Sequence, residues 1–318
     1  MYQLMTTVSI LIDDIHAGVE TLRSAIGIPQ PRPRSYRSGP GIDAVFCRVH
    51  PRYPVAPTFL ELVAPGDAHV PSVASGAPES RSHETSTTTA VFPAREVAQL
   101  QGARAVKWHA TELAMTDEQI DDLAGHLDRL GVAVGFHPPD RRDRFYLGGH
   151  PASATYDPAA DTGLFIEATK SGHLGLPDEA FHAPADIPPE ASPEAMVRIV
   201  AREYLVADLD ATLGALERNL RWTPSSMVEE DGCRRAVMPF RAPRSARLEL
   251  VQPTGPGRVA DRYHQLGPGA WTIRVSVVDL EAKAKDLTQR GTPYTLGNGV
   301  LRPDPATTLQ VPFEFIAA

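Results

Sequence analysis

The chain has 318 residues, 42% of them hydrophobic, and a formal net charge of -8. That is enough apolar material for two domains with their own cores. The acidic balance, with no Lys/Arg cluster interleaved with aromatics, argues against nucleic acid and anionic membrane as partners.

No apolar run approaches the roughly 20 residues that cross a bilayer. The opening MYQLMTTVSILIDDIHAG shows neither a basic leader nor a small-residue cleavage site. Cys47 and Cys233 are the only cysteines and form no CxxC. A reduced, cytoplasmic setting is the expectation, with both thiols serving as buried small hydrophobes.

The first element is an alternating strand from Thr7, with Val8, Ile10 and Ile12 on one face. Asp14 suits a helix N-cap, where its oxygen accepts an orphan backbone N–H. Ile15, Val19, Leu22 and Ile26 then recur at helical spacing. The unit closes in TFLELVAP, which carries Glu61. A connection over 66–104 follows, including the polar SVASGAPESRSHETSTTT from Ser72 to Thr89.

HATELAMTDEQIDDLAGHLDRLG, from His109, repeats the pattern with Asp117 as the cap and Ile120, Leu123, Leu127 and Leu130 on the apolar face. HPPDRRDRFYLGGH, from His137 to His150, is a charged turn entering an aromatic strand. It reads either as a solvated hairpin or as a lid that brings His150 to a cavity. The second unit closes in GLFIEATK with Glu167, and the Pro-rich LPDEAFHAPADIPPEASPEA follows as a linker.

A third unit runs from Ala201, with Asp208 as cap, Leu209, Leu213, Leu216 and Leu220 along the helix, and Glu249 in the closing ARLELVQP. YHQLGPGAW supplies turn glycines at Gly267 and Gly269. The fourth unit starts at Thr272, places Ile273, Val275 and Val277 on one strand face, caps at Asp279 and ends in VPFEFIAA with Glu314. Roughly 30 residues between helix and closing strand leave room for two more strands. Each unit therefore reads strand, helix, three strands.

The V-x-D-L junctions and the ELxxP closing strands resemble the vicinal oxygen chelate superfamily, which includes glyoxalase, bleomycin-resistance proteins, methylmalonyl-CoA epimerase and extradiol dioxygenases. The resemblance implies an α+β fold of four βαβββ modules paired into two incompletely closed β-barrel domains, each with a concave ligand-binding sheet. Residues 1–180 would form the N-terminal domain, with modules at about 5–66 and 105–172. Residues 181–195 would be the linker, and 196–318 the C-terminal domain, with modules at about 196–254 and 270–318.

Alternation sorts the faces. Thr7, Ser9 and Leu11 look inward in the first unit, Ala201, Glu203 and Leu205 in the third, and Thr272, Arg274 and Ser276 in the fourth. Leu60 and Leu62 go under the helix, so Glu61 points at the cavity, as do Glu167, Glu249 and Glu314. A carboxylate on an enclosed sheet costs several kcal/mol unless a metal, an arginine or water compensates it.

In the metal-using members of the superfamily, the ligands are histidines near the start of the first strand and a glutamate on the last. Here Thr7, Ala201 and Thr272 stand at those first-strand positions. Only the second unit offers a histidine, His109, with its register open by one residue because ATELAMTDEQ does not alternate cleanly.

The resemblance thus implies His109, Glu61 and Glu167 as a set for one divalent metal (Zn, Ni, Mn, Fe or Mg), with Glu61 and Glu167 also catalytic. The second half departs from the family pattern in having no first-strand histidine, so it is expected to be metal-free, with Glu203, Glu249, Arg274 and Glu314 as ligand-binding residues. Missing first-strand histidines disfavour an extradiol dioxygenase. The expected function is a small-molecule isomerase, epimerase or lyase acting next to a carbonyl. The alternative is a metal-free sequestering protein of the bleomycin-resistance type. A homodimer is the default assembly. No GxSxG, HExxH or phosphate-binding loop is present.

Overall fold

The computed structural model describes residues 2–39, 42–50, 56–66, 111–132, 134–136, 144–147, 164, 166–171, 192–230 and 232–318. The first module is β1 (Leu4–Leu11), α1 (Ile15–Ile26), β2 (Tyr36–Gly39), β3 (Ile42–Cys47) and β4 (Phe59–Ala64). The second is β5 (Thr111–Met115), α2 (Asp117–Arg129), β6 (Gly135–Phe136), β7 (Arg144–Leu147) and β8 (Ile166–Lys170). The third is β9 (Met196–Leu205), α3 (Leu209–Leu220), β10 (Ser226–Glu230), β11 (Cys233–Met238) and β12 (Arg247–Pro253). A helix, α4 (Arg258–Leu266), leads into β13 (Gly269–Val277), α5 (Leu280–Gln289), β14 (Tyr294–Gly297), β15 (Val300–Pro303) and β16 (Phe313–Ala317).

Modules one and two share one curled sheet, in the order β2-β3-β4-β1-β5-β8-β7-β6. Modules three and four share the other, in the order β10-β11-β12-β9-β13-β16-β15-β14. In each module the helix carries the chain to the far edge, and two hairpins bring it back so that last and first strands pair in parallel. The two modules of a sheet meet antiparallel, β1 on β5 and β9 on β13. Among the described residues, β2, β6, β10 and β14 stand at the ends of the two sheets.

Local chemistry fixes the junctions. Asp14, Asp208 and Asp279 cap their helices, accepting from Ala17 N (2.8 Å), Ala211 N (3.0 Å) and Ala282 N (2.8 Å). The second junction differs from expectation: Thr116, not Asp117, is the cap. Its Oγ1 accepts from Gln119 N at 3.2 Å, and Gln119 Oε1 accepts from Thr116 N at 3.1 Å, a reciprocal capping box. Asp117 instead opens the helix, where its charge faces the positive end of the macrodipole. Leu130 also departs from expectation, lying exposed at the C-cap while Ile120, Leu123 and Leu127 are buried.

Beneath the helices lie Val8, Ile10, Leu113, Met115, Ile273, Val275 and Val277, all essentially inaccessible. They belong to a continuous apolar cluster that runs from Tyr2 to Phe315 through both halves. Each fully buried side chain of this kind contributes about 1.5–3 kcal/mol. Polar ties reinforce the join. Tyr2 Oη donates to Leu220 O (2.7 Å), Lys283 Nζ to Ile26 O (2.7 Å) and Thr292 Oγ1 to Ala25 O (2.8 Å). Cys47 and Cys233 are free and buried. Among the described residues no helix is long and apolar enough to cross a membrane.

Candidate functional site

The registers make the two sheets directly comparable. On the first, Ser9 stands opposite Glu61 and Glu112 opposite Glu167. On the second, Glu203 stands opposite Glu249 and Arg274 opposite Glu314. Each module pair thus lays a row of polar side chains across a concave surface. The rows differ at two equivalent places, Ser9 against Glu203 and Glu112 against Arg274.

In the first row the Ser9 hydroxyl donates to the Glu61 carboxylate. The pairing of β1 with β5 carries a bulge between Met5 and Thr7, and Thr6, unpaired there, turns its hydroxyl onto Glu112. Arg144 on β7 sets Nη1 2.9 Å from Glu167 Oε1. Thr7 is buried, and its hydroxyl lies beside both Glu61 and Glu112, where it favours their charged forms.

Burial pushes the Glu61 carboxyl up to about 7; the Ser9 hydroxyl opposes this and the charge of Glu112 reinforces it. Burial, then the neighbouring Glu167, pushes Glu112 up to about 7 as well. Near neutral pH these two groups therefore exchange protons readily. That is the condition for general acid–base chemistry.

The second row is locked. Arg235 Nη1 lies 2.5 Å from Glu203 Oε1 and 2.6 Å from Glu249 Oε2. Arg274 Nη2 lies 2.7 Å from Glu203 Oε1 and 3.2 Å from Glu314 Oε2, with Nη1 3.4 Å from Glu249 Oε2. Arg302 Nε and Arg258 Nη2 each reach Glu314 Oε1 at 2.8 Å, and Arg247 Nη2 reaches Glu249 Oε1 at 3.2 Å. Three carboxylates that are 2% exposed or less thus face five guanidinium groups. Burial alone would raise Glu314, but Arg258, Arg274 and Arg302 together hold it below the usual carboxylate range.

Of the residues singled out from sequence, Glu203, Glu249, Arg274 and Glu314 come together in this second row. Glu61 and Glu167 lie on the first, on either side of Glu112. His109 and His150 fall outside the described residues, as does most of the charged turn; its Arg144 is the partner of Glu167.

Sequence reasoning missed Glu112, and the signal was faint because TELAM is buried throughout and does not alternate. It also missed Arg235, Arg247, Arg258 and Arg302. Among the described residues no group of three or more His, Cys, Asp or Glu is placed to hold a metal ion. The donors in the second row already engage arginines, and those in the first engage hydroxyls and Arg144. The described residues by themselves do not fit a metal set.

No protein-family model and no curated protein matches the chain. Among solved structures, a triple mutant of 4-hydroxymandelate synthase from Streptomyces coelicolor aligns over 99% of this chain and 92% of that one, with 12% identity and a TM-score of 0.56. Methylmalonyl-CoA epimerase from Mycobacterium tuberculosis aligns over 41% of this chain and 93% of that one, with 20% identity and a TM-score of 0.35. The architecture of paired βαβββ modules in two curled sheets is the vicinal oxygen chelate fold.

Proposed function

We propose, from the vicinal oxygen chelate fold as the starting point, that this chain is a small-molecule enzyme moving a proton on the carbon next to a carbonyl, as an isomerase, epimerase or lyase does. The observation that carries this reading is the pair of carboxyls Glu61 and Glu112, both pushed up to about 7, on the same row as Glu167. The fold by itself does not decide chemistry.

In the productive protonation state one of Glu61 and Glu112 is ionised and the other is protonated. The ionised carboxylate takes the α-proton, so the C–H electron pair moves toward the carbonyl and an enolate forms. The protonated neighbour donates its O–H to the enolate oxygen, and return of a proton to carbon completes the exchange. Thr7, beside both carboxyls, offers its hydroxyl to the same oxygen. Arg144 holds Glu167 in place and limits the repulsion at Glu112. The divalent-metal set implied by the resemblance would need His109 beside Glu61 and Glu167.

The test is solvent exchange. Purified protein is incubated in D2O with a panel of α-substituted ketones and acyl thioesters, and deuterium at the α-carbon is followed by NMR. Exchange with at least one member, lost in Glu61→Gln and in Glu112→Gln, is expected. Exchange that persists in the double variant, or ligands that bind without exchanging, would overturn the reading. The latter outcome would favour the sequestration alternative.

A further inference from the structure

The second half carries an arginine pocket that proton transfer on the first row does not use. A cavity of about 370 Å³ opens between α4 and the β14–β15 hairpin. This is within the size range of small-molecule sites. Its polar wall is Arg258 and Arg262 of α4 and Arg302 of β15, with Glu314 and Asp304 beside them. Its apolar wall includes Pro293, Tyr294, Pro303 and Phe313.

Two of these guanidinium groups are pre-positioned. Glu314 Oε1 accepts from Arg302 Nε at 2.8 Å and forms an ion pair with Arg258 Nη2 at 2.8 Å, which holds the two side by side. Arg258 is also set by its stack 4.7 Å from the Trp271 ring centre. Arg262 Nη1 donates to Gln265 at 3.2 Å.

Among the described residues, both Nη atoms of Arg302 remain without a protein acceptor. So do Nε and Nη1 of Arg258, and Nε and Nη2 of Arg262. Asp304 is occupied as a cap, accepting from Ala306 N at 3.0 Å. Three cations against two carboxylates leave the pocket one positive charge in excess. In a chain whose formal net charge is -8, that local surplus is a specific feature.

We propose that this pocket binds a small organic monoanion, its single carboxylate forked by Arg262 and Arg302 and its apolar body against the proline and aromatic wall. One carboxylate cancels the surplus charge, and planar guanidinium groups bind carboxylates bidentately. Glu314 and Arg274 act behind the pocket as positioning residues. The pocket is independent of Glu61 and Glu112.

Isothermal titration of the full chain with phenylacetate, phenylacetamide and phenyl phosphate tests the assignment. Phenylacetate is expected to bind at least tenfold more tightly than the uncharged amide, and phenyl phosphate no better than phenylacetate. Arg262→Gln, whose native side chain among the described residues bonds only Gln265, is expected to keep the wild-type melting temperature while losing at least tenfold in phenylacetate affinity. Glu61→Gln is expected to bind like wild type, so failure here and failure of α-proton exchange are separate results. Equal affinity for acid and amide, absence of saturable binding, or an unaffected Arg262→Gln would overturn the proposal. Tighter binding of phenyl phosphate would also overturn it, moving the ligand class to phosphate esters.

Discussion

Glu112 and Glu167 face each other directly across the parallel pairing of β5 and β8, two buried carboxylates in register on neighbouring strands. Like charges so placed cannot both ionise without cost. The relationship has a thermodynamic signature.

The folded-state pKa of Glu112 is raised to about 7 from 4.5. The folded protein therefore binds an extra proton between those values. The stability this contributes is complete below pH 4.5 and is lost as pH rises through about 7. Glu112→Gln removes the slope. At pH 8 the variant should be more stable than wild type by on the order of 3 kcal/mol, and near pH 4 the two should match. Urea unfolding at the two pH values measures both differences.

Catalysis should follow the same groups in the opposite sense. Glu61→Gln and Glu112→Gln each lower α-proton exchange by about a hundredfold to ten-thousandfold, although neither destabilises the fold at neutral pH. The rate profile is expected to be bell-shaped and centred near 7, since both carboxyls are pushed up to about 7. Deuterium incorporation measured from pH 5 to pH 9 reads the profile directly.

The second row should fail on the acid side. Glu314 is held below its ordinary range, so its contribution is complete above pH 4.5 and disappears as pH falls through the lower folded value. Glu314→Gln leaves Arg258, Arg274 and Arg302 short of a buried anion and is expected to cost about 3–5 kcal/mol at pH 7. That deficit shrinks in strong acid. Thermal melts of variant and wild type between pH 3 and pH 7 check the convergence.

The join between the halves is testable at Lys283. Its ammonium donates to Ile26 O at 2.7 Å and Asp286 Oδ2 at 2.8 Å, and sits 5.4 Å from the Phe315 ring centre. Lys283→Met keeps the volume but strands both acceptors, at an expected cost of about 1–3 kcal/mol. Amide exchange should accelerate at the C-terminal turn of α1 as well as in α5.

At the α2 junction, Thr116→Ala should cost about 1 kcal/mol, because it opens the capping box. Asp117→Asn should cost about 0.3–1 kcal/mol, from the dipole contribution and the exposed 3.7 Å pair with Lys170. Chemical denaturation of the two variants separates a cap from a first-turn charge.

Much of this architecture was legible because two simple periods repeat four times. Val8, Ile10 and Ile273, Val275, Val277 mark strand faces, and the apolar rows after Asp14 and Asp208 mark helices. The inward face of Glu249 and Glu314 followed from their flanking leucine and phenylalanine residues. Glu112 did not follow, because a bulge at Met5–Thr7 and burial of every residue in TELAM erase the alternation. Arg235, Arg258 and Arg302 stayed hidden for another reason. Their meaning depends on which distant strand they meet, and pairing partners are not written in local spacing. Asp117 misled because a threonine one residue earlier competes for the same capping role.

The unbroken apolar core beneath both sheets has a consequence for how the molecule responds to occupancy. With one melting equilibrium spanning both halves, an acid bound against Arg262 would raise the temperature at which the row of Glu61 and Glu112 comes apart. Occupancy at one sheet would then be felt at the other through common thermodynamics alone.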